Sequence, residues 1–555
     1  MDPFLSRASS RVPPEVLQEI FAYTAYHAGF YDVWFSSCYG RAKLPTPLTL
    51  AQVCSKWRLA SRSFKPLWRN IPCFNENLTK LALKLSKPLP FDVRIGYPKF
   101  DEPARARVLD PASLKAVISE IVRIRSLCVR LRGWGIGFDD DTESALDLQL
   151  TQVLEIMGQH STPLLEEFEV RVMRPLDQLA DTLPRFFSLP RLSMTCFTLD
   201  NCPVNYIANV CCGSLTVLYL RDCGLLDSAE DFLGALASLP SLESVYLQSC
   251  FALLTPDEHF LIPARSIKLP RLAHLVIEEN PQYMDSILPY LDFPLTTQLW
   301  LTLNLVFGED LTAAEWTALL RRFLLTLSEH FSSAIPHDTF FSQLYLEDDT
   351  DIMIQATKLA EDSGTIAPDW PWKEKSNGGL RLSHSMTIEV SNGRDYDLIR
   401  GTIPIVMKSL SSLRTVQRLS IWALKPVFIL PPVAGQDSSI DWDGILAPLQ
   451  HVDTLCMVSK IHVQSFVCAV CSRDAASNQK IFPKLRKLQF AGDLRKYTEL
   501  DWRKVSEAVR SLALCCSLRV VEIDRRYEDD VGQGMLDALR EIVEVKWVTK
   551  AFLML

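Results

Sequence analysis

Cys468 and Cys471 have the Cys-x-x-Cys spacing that can hold a zinc ion, and Cys456 and His462 lie nearby in the sequence. Structural zinc sites normally combine two such pairs, or one pair with two histidines at a set spacing. Neither arrangement is present here, and the apolar residues around the pair are typical of a buried helix face. We therefore predict buried thiols at these positions, with zinc binding as the less favoured alternative.

Motifs for enzymatic catalysis are also missing. The sequence has no Gly-rich phosphate loop, no Gly-x-Ser-x-Gly nucleophile elbow and no His-Glu-x-x-His metal motif. Its nine histidines are scattered, and their positions do not indicate an activated cysteine or serine. The sequence therefore predicts a protein that is not itself an enzyme and that has no cofactor and no metal ion.

One cluster of basic residues stands out in an otherwise mildly acidic chain. Its members are Arg105, Arg107, Lys115, Arg123, Arg125, Arg130 and Arg132. A solvated surface is the simplest interpretation, and a site for an acidic or phosphorylated partner is the second, because guanidinium groups bind such oxygens in pairs. The formal net charge of −8 disfavours a general nucleic-acid-binding protein.

Length and composition restrict the class of protein further. A chain of 555 residues exceeds one ordinary globular core and indicates several domains or a repeat array. Its 15 cysteines, without a secretory signal, predict reduced thiols. No apolar run reaches the roughly twenty residues that a membrane helix needs. We therefore expect a cytoplasmic or nuclear protein that does not bind membranes.

A phrase of spaced apolar residues recurs along the chain and ends in Cys or Asn. It is clearest at Leu215–Leu218–Leu220–Cys223, Leu242–Val245–Leu247–Cys250 and Leu272–Leu275–Ile277–Asn280. Weaker copies extend from Ile124 to Ile523 and predict about thirteen strands. The phrase and its spacing resemble leucine-rich repeats, in which each unit adds one strand to a parallel sheet and returns through a helix. The resemblance implies an α/β (α+β overall) repeat solenoid with a curved parallel sheet and outer helices.

Alternation along each repeat strand predicts a surface for a protein substrate. The residue between the two apolar positions points away from the core, which is the face that repeat proteins usually use for binding. Near the middle of the array these positions and their neighbours carry aromatic and charged side chains. The predicted substrate surface contains Arg130, Arg171, Tyr219, Arg221, Tyr246, Gln248, Trp300 and Tyr345. The alternative is that the rings pack against a neighbouring helix or against the loop that contains Trp370 and Trp372.

Short amphipathic helices are predicted at the N-terminus. Two prolines precede the apolar stripe of Val16, Leu17, Ile20 and Phe21, and a proline at the first helical turn loses no hydrogen bond. A second helix is predicted over residues 49–58, with Thr49 and Gln52 as a capping box. Together with a third turn near Trp68, these helices have more large apolar side chains than three short helices are expected to bury, which favours a binding partner.

These segments resemble the F-box, whose pattern appears here as Val12-Pro13, Glu15–Phe21, Val53–Arg58 and Leu67–Ile71. Val12 replaces the usual leucine, and residues 24–47 form an insertion of a kind that fungal F-box proteins often carry. The resemblance implies docking to the Skp adaptor and, through it, to a cullin. The residues that it assigns to the adaptor are Pro13, Pro14, Glu15, Val16, Leu17, Ile20, Phe21, Leu50, Val53, Cys54, Trp57, Leu67 and Trp68. The alternative is a small helical cap on the next domain.

The expected organisation has three parts: a flexible N-terminus at 1–10, an F-box at 11–73 and a repeat array at 74–555 that is interrupted by an irregular loop at 361–380. The implied function is substrate recognition in a Skp–cullin–F-box ubiquitin ligase, with an unknown protein as the substrate. A leucine-rich interaction scaffold without a role in degradation is the alternative. A nucleic-acid-associated repeat protein is a third alternative, which the charge disfavours.

Overall fold

The structure is a computed structural model, and it describes most of the predicted repeat strands. The described residues are 12–27, 46–73, 75–96, 110–131, 154–156, 159, 162–172, 193–202, 212–223, 229–251, 266–304, 312–332, 341, 343–348, 351–359, 382–391, 405–422, 449–457, 482–490, 502–525 and 531–548. The chain divides into two compact units, Met1–Arg271 and Leu272–Leu555. The boundary expected between residues 73 and 74 therefore lies inside the N-terminal unit.

Among the described residues, the N-terminal unit begins with three helices: α1 (Pro14–His27), α2 (Thr46–Gln52) and α3 (Ser55–Ser63). Leu17 and Phe21 on α1 form a buried cluster with Ala60 on α3. The expected single helix over 49–58 is wrong, because α2 ends before Cys54, which precedes the first residue of α3. Thr49 lies inside α2 rather than at its cap, since the helix starts three residues earlier, where a proline at the second position suits the first turn.

Strands and helices then alternate along the rest of the N-terminal unit. They are β1 (Asn70–Pro72), α4 (Glu76–Ser86), β2 (Phe91–Gly96), α5 (Pro111–Ile118), β3 (Ile124–Leu131), β4 (Glu167–Val172), β5 (Cys196–Asp200), β6 (Val217–Arg221), α6 (Ala229–Ala237), β7 (Ser244–Gln248) and β8 (Ile267–Lys268). Asn75 and Asp110 cap α4 and α5, because each side chain accepts a backbone N–H of the first turn.

Strands β1 to β7 pair in chain order, and every pairing is parallel. The predicted apolar positions fall in one aligned row across β3 to β7, and each side chain is buried. That row consists of Leu127, Phe168, Phe197, Leu218 and Val245. Burial of one apolar row on one face fixes the register, because a slip of one residue would expose every member. The repeat strands predicted for this unit are confirmed.

The predicted closing cysteines occupy equivalent turns after β5, β6 and β7. The residue before each cysteine has a positive φ, namely Asn201 (58°), Asp222 (48°) and Ser249 (49°). The thiols of Cys202, Cys223 and Cys250 then donate to the backbone carbonyls of Val170, Leu199 and Leu220 on the preceding strands. Burial raises the pKa of Cys223 to about 12, so its thiol stays protonated as a donor. A small side chain with a donor is what this turn needs.

The C-terminal unit continues with strands and helices of the same kind. They are β9 (His274–Glu279), α7 (Pro281–Ile287), β10 (Leu291–Asp292), β11 (Gln298–Asn304), α8 (Ala313–Ser332), β12 (Gln343–Asp348), β13 (Asp351–Leu359), β14 (Leu382–Ser391), β15 (Arg418–Trp422), β16 (Thr454–Met457), β17 (Lys487–Phe490), α9 (Trp502–Cys515), β18 (Val520–Asp524), α10 (Gln533–Arg540) and β19 (Glu544–Val548).

The strand order of the C-terminal unit departs from a simple repeat array at one place. Strand β11 pairs in parallel with β14, β14 and β12 each pair antiparallel with β13, and β12 pairs in parallel with β15. The repeat strands predicted near Leu344 and Ile388 are present, but their spatial order is reversed because the unpredicted β13 lies between them. From β15 to β19 the pairings are again parallel and in chain order.

The fold is thus a mixed α/β repeat array with parallel strands, consistent with a leucine-rich-repeat-like fold. Near the C-terminus, α10 ends at Arg540, and Val545 belongs to β19. Among the described residues, no helix combines the length and the hydropathy needed to cross a bilayer. The predictions for most of the insertion 24–47, for the loop 361–380 and for the Cys468–Cys471 pair with His462 fall outside the described residues.

Candidate functional site

In the N-terminal unit, the residues predicted to point away from the core do form one row across the sheet. Cys128, Glu169, Thr198, Tyr219 and Tyr246 are direct neighbours on successive parallel strands. Alternation therefore places them on the face opposite the apolar row, as expected. Their exposure is lower than predicted, however, since Cys128, Thr198 and Tyr219 are only 4%, 5% and 3% exposed. Strands lie about 4.8 Å apart, so long side chains on one strand cover small ones on the next.

Two tyrosine rings form the centre of this face. The rings of Tyr219 and Tyr246 are stacked, with centroids 4.3 Å apart and planes 2° from parallel. The guanidinium carbon of Arg171 lies 5.0 Å from the centroid of the Tyr219 ring, which is within cation–π distance. Burial raises the pKa of the Tyr219 hydroxyl. The prediction that Tyr219 is an exposed substrate contact is therefore wrong, and its ring supports Tyr246 and Arg171 instead.

Three partly exposed side chains surround these rings. The hydroxyl of Tyr246 donates to Gln248 Oε1 at 2.7 Å. Arg221 Nε lies 3.2 Å from Asp222 and 3.8 Å from Asp200, so its charge is shared between two carboxylates. Arg171 and Glu169 form a 2.7 Å ion pair. We name this set the Tyr-Arg surface, consisting of Arg171, Tyr219, Arg221, Tyr246 and Gln248. It offers a ring edge, an amide and a partly neutralised cation to a ligand.

The other predicted members of the substrate surface do not extend this set in the way expected. Arg130 is opposite Arg171 in the register of β3 and β4, but its side chain lies outside the described set. In the C-terminal unit, Trp300 is opposite Thr387 on β14, whereas Tyr345 on β12 is opposite Ser420 on one side and Gln355 on the other. Strands β14 and β13 therefore lie between Trp300 and Tyr345, so these two predicted members of the surface are not on neighbouring strands.

The predicted adaptor residues of the N-terminal segment fall into three groups by exposure. Pro13, Pro14, Glu15, Val16 and Ile20 are exposed, and the last two are 45% and 41% exposed. Leu17, Phe21, Leu67 and Trp68 are at most 2% exposed. The remaining four, Leu50, Val53, Cys54 and Trp57, are partly buried.

The expectation that the three helices cannot bury their large apolar groups is therefore wrong for Phe21, Leu67 and Trp68, whereas Trp57 is only partly buried. Trp68 is held by its ring nitrogen, which donates to the carbonyl of Ser61 at 2.8 Å. The turn that carries Leu67 and Trp68 runs directly into β1, and β1 pairs with β2. This turn also packs against α4, a fourth helix that adds cover to the three predicted ones.

Two members of the basic cluster, Arg123 and Arg125, are used within the fold. Arg123 Nη2 donates to the carbonyl of Leu89 at 2.6 Å, and its guanidinium lies over the ring of Phe91. Arg125 makes a two-point contact with Asp92, at 2.9 and 2.7 Å. These contacts raise the pKa of Arg125, with the Asp92 hydrogen bond as the main cause. Neither arginine is available to a nucleic-acid backbone without loss of a structural contact.

A polar network on β15, β17 and β18 was not singled out from the sequence. Gln489 Nε2 donates to Glu522 Oε2 at 2.5 Å, and Lys487 Nζ lies 2.9 Å from Glu522 Oε1. Arg418 Nη2 donates to Gln489 Oε1 at 3.3 Å. The available signal was the presence of charged and amide residues at successive outward positions, where the earlier strands carry rings. Within the described part of the chain, no group of His, Cys, Asp and Glu side chains is placed to hold a metal ion.

Comparison with known proteins yields little. No family model matches the chain, and no curated protein matches it. Among solved structures, the chain is similar to the leucine-rich-repeat-containing protein LegL7 from Legionella pneumophila, with 11% identity over 75% of this chain and 97% of that one. The TM-score of 0.23 is too low to support an argument about either fold or function. The assignment to a repeat array therefore rests on the aligned parallel strands themselves.

Proposed function

We propose that this protein is a substrate-recognition subunit of a Skp–cullin–F-box ubiquitin ligase. The segment 11–73 would dock the Skp adaptor, and the repeat array would hold a target protein. Catalysis belongs to the partners, because ubiquitin transfer needs only that the target be held near the loaded enzyme. Proximity of this kind replaces much of the entropy cost of a bimolecular encounter.

The observation that carries this proposal is an exposed apolar face on α1. Val16, Ile20 and Tyr23 are 45%, 41% and 67% exposed, while Leu17 and Phe21 of the same helix are fully buried. The spacing of four and three residues places the exposed side chains on one side of the helix. An amphipathic helix with apolar residues on its outer side is suited to docking in an apolar groove of another protein. The Leu-Pro-like start and the Val-Cys-x-x-Trp-Arg segment that resemble the F-box adjoin this face.

The test is adaptor binding by the full-length protein, measured by titration calorimetry with purified Skp adaptor. Replacing Val16 and Ile20 together by Asp should weaken binding by about 100-fold or more, since a buried apolar anchor at an interface commonly contributes about 2 kcal/mol. Leu514→Asp is the matched control, because Leu514 is 82% exposed on α9. Equal binding by the double variant and the control, with unchanged melting temperatures, would exclude α1 as the docking face.

The second candidate is an interaction scaffold that does not direct degradation. The observation in its favour is that Leu17, Phe21, Leu67 and Trp68, which the resemblance assigns to the adaptor, are buried inside this chain. The two candidates differ in what co-purifies with the protein from cells. A ligase subunit brings down a cullin and accumulates its targets when the proteasome is inhibited, whereas a scaffold does neither.

A further inference from the structure

A groove lies among the last strands of the C-terminal unit, where outward-pointing side chains of β15, β17 and β18 meet the end of β19. Its volume is about 570 Å³, which is within the range of about 300–1,000 Å³ typical of ligand pockets. Its lining includes Arg418, Lys487, Gln489, Glu522, Arg525 and Trp547. These residues come from β15, β17, β18 and β19 or adjoin them, and the parallel register of those strands brings them together.

The groove carries an excess of positive charge. Among the described lining residues, three cationic side chains face one carboxylate, Glu522. That carboxylate already accepts a hydrogen bond from Gln489 and pairs with Lys487. Burial alone raises the pKa of Glu522, but the hydrogen bonds from Gln489 and Lys487 outweigh it, and the net shift is downward. Glu522 is thus ionised and satisfied at neutral pH, and it neutralises Lys487 rather than either arginine.

The two arginines differ from the lysine in this respect. Arg418 is oriented by Gln489, whose side chain is 6% exposed and is fixed between Arg418 and Glu522. A guanidinium has five N–H donors; one of those of Arg418 bonds Gln489, and a second side-chain hydrogen bond joins Arg418 to Cys456, so the group still has donors to offer a ligand. Arg525 is exposed directly after β18 and has no ion-pair partner within the described ranges. Two guanidinium groups on one groove favour a ligand with a negatively charged, planar or tetrahedral oxygen group.

The rest of the lining favours a peptide over other anions. Trp547 and Val548 supply an apolar wall beside the charged residues, so the groove matches an acidic side chain next to an apolar one. Nucleic acid is a poorer match, because binding of its backbone needs a longer track of cations and the whole chain has a net charge of −8.

We propose that this groove binds an acidic peptide segment of a partner protein. A carboxylate or phosphate of the segment contacts Arg418 and Arg525, and a neighbouring apolar side chain packs on Trp547. This site shares no residue with the α1 face and does not depend on adaptor binding. The proposal can therefore be tested independently of the proposed function.

The experiment measures fluorescence polarisation of a labelled peptide of alternating Glu and Leu residues, titrated with the full-length protein at low salt. Arg418→Gln and Arg525→Gln should each weaken binding by about tenfold, which is the usual size of one charge-assisted hydrogen bond. Glu522→Gln should strengthen binding severalfold, because it removes the one carboxylate that repels the ligand. Arg510→Gln is the matched control, since Arg510 is exposed on α9 and outside the groove, and it should leave the affinity unchanged.

Further arms identify the ligand chemistry. A peptide with phosphoserine in place of Glu distinguishes phosphate from carboxylate, and a peptide with Gln in place of Glu should not bind. If Arg418→Gln unfolds the protein, Arg525→Gln still tests the site, because Arg525 is exposed at the end of its strand. The proposal is overturned if neither acidic peptide binds or if both groove variants behave like Arg510→Gln. It is also overturned if Glu522→Gln weakens binding, or if an oligothymidine binds more tightly than the acidic peptides and needs the same arginines.

Discussion

The outward faces of the two units use the same strand position in different ways. In the N-terminal unit that position ends in the stacked rings of Tyr219 and Tyr246. In the C-terminal unit the equivalent row contains Gln489 and Glu522, which are joined by a hydrogen bond. The repeat phrase decides which way a side chain points, while its size and its neighbours decide whether it is buried, paired or available. Register by itself therefore does not identify a binding residue.

The consequence for recognition is a difference in unneutralised charge. On the Tyr-Arg surface each arginine lies near a carboxylate, Arg171 with Glu169 and Arg221 with Asp200 and Asp222. In the C-terminal groove the one carboxylate is paired with Lys487, and two arginines face the cavity. We expect the first surface to respond mainly to changes in packing and the second mainly to changes in charge.

The largest expected effect concerns the feature that the two units share, which is the apolar face of the sheet. Leu220 in β6 and Leu455 in β16 are both fully buried. Leu220→Ala and Leu455→Ala should each lower the free energy of unfolding by roughly 2–5 kcal/mol, because each leaves a cavity in a packed interior. Urea denaturation followed by circular dichroism measures this loss. A loss below about 1 kcal/mol for only one of the two would mean that the cores are not packed alike.

The next effect distinguishes the outward faces. Tyr219→Ala should cost roughly 2–4 kcal/mol, because the ring is buried between Tyr246 and Arg171. Gln489→Ala should cost only about 1–2 kcal/mol, since it removes two hydrogen bonds and little apolar area. Tyr219→Phe is the control, because it keeps the ring and removes only the hydrogen bond between the hydroxyl and Arg221, so it should cost about 1 kcal/mol. If thermal melts show no loss of stability for Tyr219→Ala, the ring is not part of the packed interior and Tyr219 would again be a candidate contact residue.

The smallest effect is a dependence on pH. The pKa of Glu522 is below its ordinary value of 4.5, so the carboxylate stabilises the folded state above that pH. The contribution is lost as the pH falls through the folded-state pKa. The difference in urea midpoint between the native protein and Glu522→Gln should therefore shrink steadily below about pH 4.5.

Asp285, in the same unit, should show the opposite dependence of stability on pH. Burial raises its pKa above 3.8, although Arg322 at 3.1 Å acts against the shift. Protonation of Asp285 therefore favours folding, and the native protein should gain stability relative to Asp285→Asn as the pH falls through this range. If both variants showed the same pH trend, the burial of Asp285 or the pairing of Glu522 would have to be reconsidered.

Much of the repeat array was predictable because each strand repeats a local pattern. Leu218 and Leu220 with Cys223 determine a strand and its turn without reference to the rest of the chain. The cysteine requirement also follows from local geometry, since the turn needs a residue of positive φ followed by a small donor. Patterns of this length contain enough apolar positions to fix both the element and the face that it buries.

Features that depend on distant partners were not predictable in the same way. The reversed order of β12 and β14 follows from the pairing of both with β13. The alternating Ile352 and Ile354, soon after β12, are typical of the second strand of a hairpin. The search for leucine-rich repeats did not consider this pattern. Burial of Leu67 and Trp68 was missed because the turn that carries them also packs against α4, a helix that follows them in the chain. The C-terminal groove depends on Arg418 and Glu522, which are more than a hundred residues apart in the sequence.

The short strand β1 has a consequence for how the N-terminal helices are attached. Its three residues pair with Asp92, Val93 and Arg94 of β2, and the amide of Asp92 donates to the carbonyl of Arg69. The helical segment is therefore joined to the sheet directly through β1 and not through a flexible linker. A protein that lacks residues 1–72 would lose β1, which covers one edge of β2. An uncovered strand edge invites aggregation. A partner bound to α1 would likewise be held at a fixed orientation relative to β2 and β3.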